Sequence, residues 1–208
     1  MDKIYMPEDP MENIYNSKNI FRRSVHRSRL MKILKLVKGK SGTLLEAGCG
    51  EGHLLREISK INPNLRLYGV DVTKIAVEKA KKKVPDAVIK IGNLLNLDSL
   101  FKKYYFDVVI CSEVLEHISQ YELVIQNLEK MVKNNGTIII SFPNERIVTF
   151  ARFLFGVKPI KAPDHVNSFT PQKIIKEFKS RFVYGENWPF NMPFWTMGGT
   201  ILCFKKQD

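Results

Sequence analysis

Cysteine is scarce in this 208-residue chain: Cys49, Cys111 and Cys203 are an odd number and show no Cys-x-x-Cys spacing. Neither a disulfide framework nor a zinc knuckle is suggested. No apolar run is long enough for a membrane-spanning helix or a signal-peptide core, and Met1 to Asn19 is polar and interrupted by proline. The expectation is a protein of the reducing cytoplasm, soluble or at most peripheral to a membrane. Internal repeats and low-complexity tracts are also missing.

Acid is in short supply too, with 21 acidic residues against 33 basic ones and a net charge of +12. Between Ser17 and Lys40 there is no acid at all, while Lys18, Arg22, Arg23, Arg27, Arg29, Lys32, Lys35, Lys38 and Lys40 are basic. Phe21, Val25, Leu30, Ile33, Leu34 and Val37 fall near helical spacing in the same stretch, which predicts a helix with one packed and one cationic face. Such a face is often merely solvated; the alternatives are RNA phosphate and an anionic membrane surface.

What is present is enough for one substantial core, since 44% of the residues are hydrophobic. Residues 1–40 read as a basic helical extension and 41–208 as the main domain. Strand-like runs at Thr43 to Ala47, Arg66 to Asp71, Ala87 to Ile91, Phe106 to Cys111 and Gly136 to Phe142 alternate with helical ones. That order builds a parallel sheet covered on both faces. The first helix should follow Gly52, the second should be capped by Thr73 over Ile75 to Lys83, and the fourth should run from about Ser119 to Val132. A further helix starts at Thr170-Pro171, and final strands lie near Phe182 to Glu186 and Gly198 to Phe204.

The most informative segment is Leu44-Leu45-Glu46-Ala47-Gly48-Cys49-Gly50-Glu51-Gly52, a strand entering a three-glycine turn that opens a helix. Glycines there let a ligand lie directly on the main chain. Nineteen residues past Gly52, Asp71 ends the next apolar run, where a carboxylate can accept hydrogen bonds from both hydroxyls of a ribose. A dinucleotide fingerprint needs a third glycine at the sixth position from Gly48, and that position is His53. An NAD site is therefore not indicated.

The pattern Glu46-x-Gly48-x-Gly50-x-Gly52, with Asp71 at the second strand tip, resembles motif I and its partner in class I S-adenosylmethionine-dependent methyltransferases. Phe106 to Ile118 resembles motif IV and its following loop. Similarity to the ubiquinone-biosynthesis O-methyltransferase subgroup extends through Pro143-Asn144 and Asp164-His165-Val166-Asn167-Ser168-Phe169-Thr170-Pro171. The resemblance implies a Rossmann-like, doubly wound, mostly parallel seven-stranded sheet with an antiparallel last strand, plus an N-terminal helix and a helical insertion. It implies an enzyme that binds S-adenosyl-L-methionine and releases S-adenosyl-L-homocysteine. The residues expected to hold the donor are Glu46, Gly48, Cys49, Gly50, Gly52, Asp71, Val72, Asn93, Leu94, Ser112 and Glu113. Asn93 stands where relatives often carry an acid, so its amide can accept a hydrogen bond from adenine without charge assistance.

Methyl transfer asks the protein to align donor and acceptor, exclude water and remove any acceptor proton. His117, just after the fourth strand, is the candidate general base, set against a purely structural histidine. Glu113, Glu116 and His117 could also share a divalent cation with His165. Some ubiquinone-pathway and small-RNA 2′-O-methyltransferases resemble this arrangement with metal, and many relatives with Glu-Val-Leu-Glu-His are metal-free. The insertion at 145–165, largely Arg146 to Lys161, reads as a lid, an interfacial helix or a plain packing helix. Ser112-Glu113-Val114-Leu115 lacks the Asp/Asn-Pro-Pro-aromatic run of base-directed amino methyltransferases. An oxygen of a small-molecule acceptor is therefore the first expectation. An RNA methyltransferase and a non-catalytic donor-binding relative are the alternatives. Neither the acceptor nor the oligomeric state can be read from the chain.

Overall fold

Successive residues along the central strands send their side chains to opposite faces, and in this protein both faces are buried. In the computed structural model, which describes residues 20–145, 149–150, 153, 165–178, 182–189 and 199–206, Leu44, Val108, Ile110 and Ile139 join one core. Their neighbours Leu45, Val109, Cys111, Ile138 and Ile140 join another. One core is completed by α1 (Ile20–Val37), α2 (His53–Ile61) and α3 (Lys74–Lys83), through Ile33, Leu34, Val37, Leu55, Ile58, Val77 and Ala80. The other is completed by α4 (Tyr121–Met131) and α5 (Pro171–Glu177), through Val124, Ile125, Leu128 and Ile174. A 3-10 turn at Leu94–Ser99 adds Leu94 and Leu97 to that second core.

The strands are β1 (Gly42–Ala47), β2 (Leu65–Asp71), β3 (Val88–Ile91), β4 (Phe106–Ser112), β5 (Val132–Pro143), β6 (Phe182–Pro189) and β7 (Gly199–Lys206). They form one seven-stranded sheet in the order β3-β2-β1-β4-β5-β7-β6. Pairing from β3 through β5 is parallel, whereas β7 runs antiparallel to both β5 and β6. The chain therefore reverses its winding direction beside β1. Carboxyl ends of β1, β2 and β4 lie side by side there, where ligands of open α/β sheets collect. Ala47 is level with Val70 on one side and Cys111 on the other.

The expected doubly wound fold and its antiparallel last strand are present, with two local differences. Thr73 occupies the N-cap of α3 but makes no side-chain cap bond; Asp71 Oδ1 instead accepts the Thr73 N–H at 2.9 Å. β5 begins four residues before Gly136, because Phe106 pairs with Val132 ahead of a register shift. At α5 the expected start holds, with Pro171 in the first turn, and Thr170 Oγ1 caps it by accepting the Lys173 N–H. Of the insertion, Thr149, Phe150 and Phe153 are helical, and both phenylalanines are exposed; most of 145–165 lies outside the described residues.

Candidate active site

The glycine turn leaves β1 and is drawn at once toward β2, with Gly48 and Cys49 both donating to the Val70 carbonyl, at 2.8 and 3.0 Å. Gly50 has φ +49°, and a Cβ built there would meet nothing within 4 Å. The turn thus presents bare backbone to an open space. Gly52 has the opposite reason for being glycine: at φ +76° its Cβ would stand 3.0 Å from the Ala80 Cβ of α3. Asp71 spans the turn and the next helix. Its Oδ2 accepts the Gly50 N–H at 2.8 Å while Oδ1 takes that of Thr73. A carboxylate offers about four lone-pair positions, so each oxygen keeps one for a ligand. Beside the turn, Glu51 meets Lys79 of α3 at 2.6 Å, which ties the loop to the helix layer.

Glu46 shares the parity of Leu44 and so faces α1 and α2. It is buried, and its Oε2 has no hydrogen-bond partner. Burial raises its pKa to about 8; an N–H from Leu55 opposes the rise, the Asp71 carboxylate adds to it, and the Arg29 guanidinium pulls it back. Arg29 enters from α1 and is itself buried. Its Nη1 lies 3.0 Å from Glu113 Oε2. Glu113 is held by its left-handed backbone, φ +57°, by its N–H bond to the Ser141 carbonyl, and by the Ser141 hydroxyl donating to its Oε1 at 3.4 Å. The Ser112 and Ser141 hydroxyls are 2.7 Å apart. A cation is thereby fixed over the ends of β1, β4 and β5 between Glu46 and Glu113.

The remaining donor-site candidates divide by what their side chains do. Asn93 Oδ1 accepts the Leu95 N–H at 3.0 Å as the cap of the 3-10 turn. That leaves one oxygen lone pair and the amide N–H groups for a ligand. The Leu94 side chain is buried in the core, so any ligand contact by Leu94 is through its main chain. Val72 is 42% exposed beside Asp71 and offers an apolar surface. Cys49 is buried, and burial together with Glu46 pushes its thiol pKa up. It therefore packs as a small apolar group.

His117 closes a 3-10 turn, Leu115–His117, immediately after β4. The backbone of the later segment is clamped to this turn, because Val166 and Asn167 both donate to the Glu116 carbonyl, at 2.9 and 3.1 Å. Asn167 Nδ2 also donates to the Ile118 carbonyl at 2.7 Å. His165 is thereby brought against His117, with ring centroids 4.9 Å apart and planes at 78°. Glu116, His117 and His165 each offer one ligand atom within 4.8 Å of the others. Glu116 is buried with Oε2 unpartnered, and burial plus the Glu113 charge raises its pKa well above the carboxylate range. Two imidazoles and a desolvated carboxylate are a donor set suited to a divalent cation. Of the four residues expected to share one, Glu113 is directed to Arg29 instead. Glu145, just past β5, is hydrogen-bonded through Oε1 to His165 Nδ1.

Two residues escaped the sequence reading. Arg29 was one base in a run of nine, and only its burial separates it from Arg27 or Lys35. Glu145 carried no motif; its signal lies in the placement of Asn144-Glu145 at the carboxyl end of β5 opposite the His165 segment.

A family profile described as a methyltransferase domain matches residues 38–187. The ubiquinone biosynthesis O-methyltransferase of Shewanella sp. (strain ANA-3) is 28% identical over 141 residues, covering 64% of this chain and 59% of that protein. The mitochondrial enzyme of the same name from Schizosaccharomyces pombe is 28% identical over 159 residues, covering 71% and 55%. The chain thus spans less than two thirds of either relative's length. Among solved structures, the magnesium protoporphyrin IX methyltransferase of Synechocystis PCC 6803 with bound S-adenosylhomocysteine superposes with a TM-score of 0.74 at 18% identity, over 95% of this chain and 93% of that one. The N-methyltransferase NodS of Bradyrhizobium japonicum WM9, also with S-adenosylhomocysteine, gives 0.68 at 19% identity over 97% and 93%.

Proposed function

Since the chain belongs to the methyltransferase-domain family, we propose that it transfers a methyl group from S-adenosyl-L-methionine to an oxygen of a small-molecule acceptor. One observation carries this reading: an open glycine turn lies between a buried, half-unpartnered Glu46 and the Asp71 carboxylate, at the strand ends that also carry the His117 cluster. When bound, S-adenosyl-L-methionine supplies an electrophilic sulfonium methyl.

The chain's own residues do the rest. Asp71 receives the sugar hydroxyls on its two remaining lone pairs. Glu46 receives the ammonium group, and Arg29 receives the carboxylate of the methionine moiety. Asn93, the Leu94 main chain, Ser112, Glu113 and Val72 border the base and tail. Side chains already fixed by their own hydrogen bonds make these contacts with little reorganisation. His117 takes the acceptor proton. Residues 145–165 serve as the lid that keeps water from the reacting oxygen, and residues 1–40 as the acceptor-side extension. The test is a crystal of the protein with S-adenosylhomocysteine followed by turnover against phenols and other hydroxyl acceptors. A crevice left empty at saturating ligand ends the proposal.

A divalent cation fits the same site, because the buried Glu116 Oε2 lacks a partner and sits with His117 and His165. Glu116, His117 and His165 would hold it, and it would polarise the acceptor oxygen. Metal analysis of protein purified without a histidine tag decides the point: one equivalent of bound metal supports it, and none after dialysis against Mg²⁺ or Mn²⁺ removes it.

The α1–α3 layer supports peripheral contact with an anionic lipid surface in the cytoplasm. Arg27, Met31, Lys35 and Lys38 form one exposed ridge, and Ile75 projects between Lys74 and Lys79 with 66% exposure. Cations interleaved with aliphatic chains suit lipid headgroups better than RNA, whose bases call for aromatic platforms. Co-sedimentation with phosphatidylglycerol vesicles that is lost in high salt is expected; salt-sensitive binding to RNA with no vesicle binding would redirect the proposal to an RNA acceptor.

A further inference from the structure

We propose that Glu145 is a positioning residue that sets the orientation and tautomer of His165. His165 is located by two independent restraints. Its backbone is pinned because the next two residues donate to the Glu116 carbonyl, and its ring is bonded through Nδ1 to Glu145 Oε1. A ring held through Nδ1 by a carboxylate carries its proton there and turns the Nε2 lone pair the opposite way. The His165 ring stands edge-on to that of His117 and offers one nitrogen within 4.8 Å of ligand atoms of His117 and the buried Glu116; with Nδ1 taken by Glu145, the nitrogen left for that role is Nε2.

Glu145 is only 6% exposed, and its Oε2 has no hydrogen-bond partner. A buried carboxylate is costly unless it is matched to a cationic or N–H donor. His165 supplies that match, so the pair explains both a buried acid and a fixed imidazole. Carboxylate-backed histidines present a more basic second nitrogen, which serves proton removal and cation binding alike. The consequence for turnover rests on the methyl-transfer reading; the tautomer does not.

The test is long-range ¹H–¹⁵N NMR of the histidine rings in the full chain at pH 8.5, with His165 assigned by comparison with His165→Gln. The expected wild-type pattern is a protonated Nδ1 and a bare Nε2. Glu145→Ala should move the proton to Nε2, whereas Glu145→Gln, whose amide oxygen still accepts, should retain the wild-type pattern. In parallel, Glu145→Ala should lower kcat about tenfold or more and weaken any Mn²⁺ binding about 10- to 100-fold, with the S-adenosylhomocysteine Kd unchanged. A wild-type His165 with the proton on Nε2, or an Ala variant with the wild-type tautomer, overturns the proposal even if every variant binds S-adenosylhomocysteine. Loss of that binding in the wild type would instead count against the methyl-transfer reading alone.

Discussion

Replacing Asp71 by alanine tests the donor site most directly. Its two oxygens already accept the Gly50 and Thr73 N–H groups, at 2.8 and 2.9 Å, leaving one lone pair on each for a sugar hydroxyl. Two charge-assisted bonds at about 1.5–3 kcal/mol each amount to roughly 3–6 kcal/mol, or about 10²- to 10⁴-fold in Kd. The same substitution strips an acceptor from two backbone donors. The site is half-buried, so water recovers part of that loss, and the stability cost should be about 1–2 kcal/mol, a fall in Tm of roughly 2–8 °C. Titration calorimetry with S-adenosylhomocysteine reads the first effect and scanning calorimetry the second. Asp71→Asn keeps one carbonyl oxygen and should fall between wild type and alanine. If Asp71→Ala binds S-adenosylhomocysteine within about threefold of wild type, yet shows the Tm loss, Asp71 only pins the turn and caps α3.

Arg29→Ala should weaken S-adenosylhomocysteine binding about 10- to 100-fold, the loss of a charge-assisted pair; exposed Arg27→Ala, measured in the same titration, should leave it unchanged. Glu46 has a folded pKa of about 8 against an ordinary 4.5, so the folded protein binds the extra proton between those values. Its contribution to apo stability is therefore complete below about pH 4.5 and is lost as pH rises through about 8, on the order of a few kcal/mol. Thermal melts across that window should show the decline, and Glu46→Gln should flatten it. Because the donor ammonium favours ionised Glu46, binding at pH 7 should release a proton, read by calorimetry in buffers of different ionisation enthalpy; zero release would remove Glu46 from the ammonium contact. Phe106 is fully buried against Tyr68, Phe101 and Tyr105, with centroids 5.1–5.4 Å away. Phe106→Ala should cost about 3–5 kcal/mol by urea denaturation without changing donor affinity.

Local order was legible in the chain because it is written in short-range chemistry. Alternating apolar runs marked β1 to β5, the glycine spacing marked a turn that must carry positive φ, and Thr170-Pro171 marked a helix start. Asp71 was legible for the same reason, as a carboxylate at a strand tip, although its bonds to Gly50 and Thr73 were not. Tertiary structure alone decided which charges matter. Arg29 became a site residue by being buried over the strand ends next to Glu46 and Glu113, while Arg27, Lys35 and Lys38 of the same basic run stayed exposed. It likewise separated Glu113 from Glu116 and His117, three residues that sequence spacing had grouped together, because a left-handed backbone at Glu113 turns its carboxylate toward α1. Glu145 met His165 across twenty residues of chain, through a clamp of backbone bonds that no periodicity records. Backbone conformation and side-chain parity follow from neighbours in sequence; desolvation and ion pairing depend on which distant segments the sheet brings to the same edge.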